Sequence, residues 1–225
     1  MRVLMLVLMS EGEPYKWFRN VWKKYMKSHP NIDCYFYRGN PNLVTEYVLD
    51  DDTLWIRIPD SLPYIFERTV RAFRYFVNTR PNTYSFLFRP NASCVVNFKR
   101  YYEMCTSFPT HEFCSAMVGS FPQRNVKEFP SGSGFTLSFD VVKRFARETG
   151  LQNVYIDDVT FGHYLQEWNI PIVPSSRYSF EKRYYSPEEL ADILSNHFHL
   201  RFRSEDRVWD AYAMNMVVDR IYSNK

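Results

Sequence analysis

An unbroken apolar run, Val3 to Met9, is followed by a helical stripe in which Phe18, Val21, Trp22, Tyr25 and Met26 recur at i, i+3, i+4, i+7 and i+8. A run apolar at every position suits a strand buried on both faces, and the striped helix behind it covers one of them. The same strand-then-helix succession recurs along the chain. It restricts the fold to an α/β layered plan with a mixed, largely parallel central sheet flanked by helices. Folds of that plan bind ligands at the carboxyl ends of their strands.

His29-Pro30-Asn31 stops the first helix, and residues 32–37 alternate as a strand. Residues 43–58 read as a hairpin around Asp50-Asp51-Asp52 that ends in the strand 54–58. Asp60 or Ser61 caps the next helix, with Pro63 in its first turn. Its core face is Leu62, Ile65, Phe66, Val70, Phe73 and Val77. Arg80-Pro81-Asn82 closes it, and 84–88 is a strand. Ser186-Pro187-Glu188-Glu189 is a capping box with proline at the first helical position. A last helix carries Val208, Trp209, Tyr212, Met216 and Val217.

The 225 residues, 45% hydrophobic and 24% charged, fit one domain with a sizeable core. A net charge of +3 does not argue for a nucleic-acid partner. The N-terminal apolar run lacks a small-x-small cleavage site and is followed by Glu11-Gly12-Glu13-Pro14, so it reads as a buried strand and not as a signal peptide. No stretch is long enough to span a membrane. Cys34, Cys94, Cys105 and Cys114 show no C-x-x-C spacing and read as reduced, mostly buried thiols. The expected location is therefore cytoplasmic, with no secretion. On that ground the glycosylation triplet Asn91-Ala92-Ser93 is discounted.

Several chemistries are excluded by motif. There is no G-x-x-x-x-G-K-[ST] and no G-x-G-x-x-G after the first strand, where Ser10-Glu11-Gly12-Glu13 stands. G-x-S-x-G is absent, against a nucleophile-elbow hydrolase. The most informative stretch is 130–174. It opens with Ser131-Gly132-Ser133-Gly134, read as a flexible loop, and continues as the strand-like 135–138 and a helical run closed by Gly150. The apolar stretch 154–156 then reaches Asp157 and Asp158. Adjacent carboxylates cannot flank one glycosidic bond at the ~5–9 Å that glycoside hydrolysis needs. One as general base and one as helix cap fits better, and simple capping by both is the competing explanation. Residues 197–203 alternate strictly, burying Phe198, Leu200 and Phe202 and aligning His197, His199, Arg201 and Arg203 on the other face, a row suited to a diphosphate. Arg207 lies just beyond. Arg89 can hold a phosphate, and Asn91 and Ser93 can hydrogen-bond a ribose or sugar.

The ordered set of these features resembles a glycosyltransferase of the GT-A fold. The resemblance is closest to the small glycosyltransferase domains of large DNA viruses and more distant to the β-1,3-galactosyltransferase and fringe group. It covers nearly the whole chain, and its specific matches are the glycine segment followed by Leu137-Ser138-x-Asp140 and the stretch Ile156-Asp157-Asp158-Val159-x-x-Gly162. It implies a single GT-A domain over 1–225, with a nucleotide-sugar-binding half at about 1–100 and an acceptor and catalytic half at about 101–225. It further implies transfer of a sugar from a UDP-linked donor to a glycan or other hydroxyl acceptor, with inversion. Asp158 would be the general base beside Asp157. Ser10, Glu11, Arg89, Asn91, Ser93, His199 and Arg201 would bind the donor, and Ser131 to Gly134 would form the sugar loop.

One departure stands out. Such enzymes carry Asp-x-Asp at the strand end to hold Mn2+ or Mg2+ under the diphosphate. Here Arg89-Pro90-Asn91-Ala92-Ser93 occupies that place, with His199 the candidate metal ligand and Asp50 to Asp52 a rival site better explained as a turn. A chain that kept the fold but lost catalysis, acting as a carbohydrate- or partner-binding protein, is the alternative. A sugar-phosphate nucleotidyltransferase would want a basic glycine-rich loop after the first strand, where this chain is acidic.

Overall fold

Every residue of β1 (Val3–Leu8) is buried, and alternate side chains feed two separate cores. Val3, Met5 and Val7 enter one; Leu4, Leu6 and Leu8 enter the other. The protein is described here by a computed structural model, for residues 1–121, 126–181 and 184–222. After β1 come α1 (Tyr15–Lys23), β2 (Ile32–Gly39), β3 (Tyr47–Asp50), β4 (Thr53–Ile56), α2 (Ile65–Thr79), β5 (Phe86–Pro90), β6 (Cys94–Val96) and α3 (Phe98–Cys105). The second half adds β7 (Cys114–Phe121), β8 (Val126–Ser138), α4 (Phe139–Arg147), α5 (Asp157–Glu167), β9 (Ile172–Pro174), β10 (Tyr178–Phe180), α6 (Pro187–Asn196), β11 (His199–Phe202) and α7 (Arg207–Tyr222).

The main sheet has eight strands in the order β3-β4-β2-β1-β5-β8-β7-β9. β4, β2, β1 and β5 run parallel, β8 is antiparallel to both its neighbours, and β3 is antiparallel to β4. This is a mixed, Rossmann-like α/β sheet. The chain leaves β1 toward β2 on one side and returns to β5 on the other, so the crevice between β1 and β5 is a topological switch point. There Ala92 N donates to Leu8 O at 3.1 Å. A second sheet, β10-β11-β6, stands beside the first.

Local signals act as the sequence predicts at several places. The α1 stripe is buried throughout. Asp50 to Asp52 turn the hairpin, and Asp52 is itself buried against Arg19 and Lys23 at 2.7 and 2.9 Å. The Ser186 capping box forms with both of its hydrogen bonds.

Other expectations are corrected. Leu62 lies in a 3-10 turn ahead of α2 and is exposed, because that turn swings it away from the α2 core face. Residues 151–156 form no strand, and Val154 and Ile156 are exposed. Ser131 to Gly134 are not a loop but lie inside β8, paired to β5 through Pro90 and Gly134 and to β7 through Val118 and Pro130. Glycine is needed there for space. A Cβ on Gly134 would stand 2.8 Å from the His199 ring and 2.9 Å from Phe88, and one on Gly132 would stand 3.0 Å from Asp158 Oδ2.

Candidate active site

A cleft of about 710 Å³ opens at the carboxyl ends of β1 and β5, within the ~300–1,000 Å³ typical of ligand sites. Ser10 follows β1, and Asn91 and Ser93 follow β5. Ser131, Gly132 and Ser133 of β8 line it, with Asp157 and Asp158 at the start of α5. Four cations line the same cleft, Arg177 ahead of β10, Arg201 on β11, and Arg203 and Arg207 beyond it.

The acids are built into the sheet. Gly132 N donates to Asp158 Oδ2 at 2.9 Å, and Val159 N donates to Asp158 Oδ1 at 2.9 Å. Each oxygen keeps a lone pair for a further partner. Burial, and then the neighbouring charge of Asp157, raise the Asp158 pKa above the ordinary carboxylate value; the two N–H groups and Arg89 pull against them. The N-cap of α5 is Ile156, so neither aspartate caps it in the usual sense. Both sit in the first turn, where the helix dipole favours negative charge.

Arg89 does not face the ligand space. It is fully buried, and all three of its nitrogens are committed: Nε to Tyr37 Oη at 3.0 Å, Nη1 to Gly132 O at 2.8 Å and Nη2 to Asp157 Oδ2 at 2.7 Å. Its place in the middle of β5, paired to Phe135 of β8, turns it inward to anchor Asp157. Asn91 Oδ1 likewise has partners, accepting from Ser93 N at 3.1 Å and Ser93 Oγ at 2.9 Å.

His199 is also withdrawn. It is 3% exposed, its Nε2 lies 3.2 Å from Cys94 Sγ, and its ring meets Phe88 edge-on. Burial, followed by the charges of Arg177 and Arg201, lowers its pKa to about 3, so it is neutral at physiological pH and is not a phosphate-binding cation. The sequence alternation leaves its face open, but in the fold β8 covers that face. Glu11 points to solvent near Arg38, 3.5 Å away, and Glu11, Arg89, Gly134 and His199 do not line the cleft. Ser10, Asn91, Ser93, Ser131, Gly132, Ser133, Asp157, Asp158 and Arg201 do.

Arg177 escaped sequence reasoning. It stands alone in an irregular segment with no periodic pattern to mark it. Its Nη1 donates to Ser131 Oγ at 3.0 Å and also reaches Ser133 Oγ. Burial, and after it the charge of Arg201, lower its pKa, and Arg201 is lowered by burial and by Arg203 and Arg207. An arginine stays charged under such shifts. Three exposed apolar side chains, Leu62, Met117 and Ile156, rim the cleft.

Over this whole architecture the chain matches a crystal structure described as that of a glycosyltransferase involved in the glycosylation of the major capsid of PBCV-1. The TM-score is 0.57 at 12% identity, covering 96% of this chain and 100% of that one. The fold is similar to that of a viral glycosyltransferase. The glycosyltransferase resemblance drawn from the sequence motifs thus extends to the fold of nearly the entire chain. The sequence matches no protein-family profile, and no curated protein aligns with it significantly. Among the described residues no helix is long and apolar enough to cross a membrane.

Proposed function

We propose that the protein is a glycosyltransferase that moves a sugar from a nucleoside diphosphate sugar, UDP-linked, to a hydroxyl of a glycan or other acceptor. The observation that carries this reading is the meeting, in one cleft at the switch point, of an acid pair and an arginine group. A sugar nucleotide has a dianionic diphosphate on one side of its anomeric carbon, and the acceptor must approach from the other. The likeness to a capsid glycosyltransferase supports the same chemistry.

In this mechanism Asp158 is the general base. The acceptor oxygen forms a bond to the anomeric carbon while its proton passes to an Asp158 oxygen. The bond from that carbon to the diphosphate oxygen breaks, and its electron pair leaves with the nucleoside diphosphate. A single displacement of this kind inverts the anomeric centre. The raised pKa suits Asp158 to the task, because a base closer to neutrality has more driving force for proton transfer. Asp157, fixed by Arg89, keeps a like charge beside it. The apolar rim of Leu62, Met117 and Ile156 fits the less polar face of an arriving acceptor ring.

The test is a panel of nucleotide sugars assayed for release of nucleoside diphosphate with and without glycan acceptors. Transfer from one of them supports the reading. Binding of donors without release would leave a carbohydrate-binding protein instead.

A further inference from the structure

The donor groups of the cleft do not suit a divalent cation. Mg2+ and ions like it take a shell of oxygen ligands, carboxylates above all. Among the described residues, no three His, Cys, Asp or Glu side chains stand together so as to hold a metal ion. Asp157 Oδ2 is engaged by Arg89, Asn91 Oδ1 accepts from Ser93, and the lone pairs that Asp158 keeps are the ones the acceptor hydroxyl needs. Positive charge is nonetheless concentrated here. Arg177, Arg201 and Arg203 line the cleft against their mutual repulsion, with Arg207, paired to Asp210, beside them. The Nε atoms of Arg177 and Arg201 are buried and have no hydrogen-bond partner among the described residues. Guanidinium groups match phosphate oxygens in planar, paired hydrogen bonds.

We propose that this arginine group replaces the divalent cation, binding the donor diphosphate and stabilising it as it leaves. The inference rests on the glycosyl-transfer reading above. As the bond to the anomeric carbon breaks, the electron pair settles on the phosphate oxygen, and guanidinium N–H groups meet that charge; the leaving group needs no proton. Arg177 gives the arrangement its register. It is held by Ser131 and Ser133, while Gly132 between them holds Asp158. Three consecutive residues of β8 thus fix both ends of the displacement, the leaving group through the serines and the base through the glycine. Arg177 is therefore a leaving-group ligand assigned by geometry.

The experiment measures binding of inorganic pyrophosphate and of UDP by calorimetry, once in chelator and once with manganese. The two conditions should agree within about twofold, and affinity should fall with added salt. Arg177→Gln and Arg203→Gln should each weaken pyrophosphate by roughly tenfold or more, the worth of one charge-assisted hydrogen bond, with Arg177→Lys between. Arg203 is exposed, so its variant keeps the test open if Arg177→Gln does not fold. Binding that requires manganese, or that survives both substitutions, overturns the proposal even if sugar transfer is observed. Metal-free pyrophosphate binding lost in both variants upholds the arginine site, and the donor panel separately decides whether the bound diphosphate belongs to a sugar donor.

Discussion

Arg89 Nη2 lies 2.7 Å from Asp157 Oδ2, with the guanidinium fully buried and its other arm on Gly132 O. Arg89 therefore clamps Asp157 to β8 at the same glycine whose N–H holds Asp158. Removing one member of a buried ion pair strands the other, at about 3–5 kcal/mol. Arg89→Met and Asp157→Asn should each lose stability on that scale in urea unfolding. The double variant should lose clearly less than the sum, and strict additivity would show the pair to be uncoupled.

Asp158→Asn should lower turnover by roughly 10²–10⁴-fold while donor binding persists, as expected for loss of a general base. The base must be ionised to act, so activity should rise with pH along a limb set by Asp158, whose pKa burial and Asp157 raise from its ordinary value. Because the charge of Asp157 contributes to raising that pKa, Asp157→Asn should move the limb to lower pH. A pH–rate profile of kcat/KM measures both, and near-normal transfer by Asp158→Asn would refute the assignment.

Gly132→Ala places a methyl 3.0 Å from Asp158 Oδ2 and should displace the carboxylate. A 1 Å misplacement costs about 10²-fold in rate and the carboxylate here must give by only a few tenths of an ångström, so kcat should fall by less than that, with little change in melting temperature. Gly162→Ala offers the contrast. Its methyl would meet Glu128 O at 2.6 Å and Phe129 Cβ at 2.5 Å, and overpacking of that kind costs about 1–3 kcal/mol of stability.

His199 makes the fold acid-sensitive. Its pKa is about 3 in the folded protein, against ~6.5 for an unperturbed histidine. Above pH 6.5 both states are neutral there and the contribution is fully present. Between 6.5 and 3 only the unfolded chain takes the proton, so stability declines as pH falls, by at most about 1.4 kcal/mol per pH unit. His199→Gln should flatten the dependence of the urea midpoint between pH 7 and 4, and an unchanged slope would place the acid sensitivity elsewhere.

Periodic features were the legible ones. The α1 stripe, the hairpin turn and the Ser186 capping box are local patterns with local causes, and each folds as its residues dictate. The acid pair was visible because two carboxylates at a helix start are conspicuous against apolar neighbours. Ser131 to Gly134 misled because small polar residues signal turns, while here they make room for Asp158 and His199 in a strand paired on both edges. His199 looked ligand-facing because alternation fixes which residues share a face but not what covers that face, and Arg89 because it stands where a strand runs into a polar turn. Arg177 carried no local signal at all; only the pairing of β10 with β11 brings it to the serines of β8.

The cleft draws its acids and its cations from two hydrogen-bond ladders. The acids are fastened to β8 in the eight-stranded sheet, whereas Arg201 belongs to the three-stranded one and Arg177 immediately precedes it. Arg177 crosses that divide, since the serines it grips flank the glycine that holds Asp158. The two sheets are thereby stitched together at one strand, and a change in β8 at 131–133 is felt by a cation of one sheet and an acid of the other in the same step.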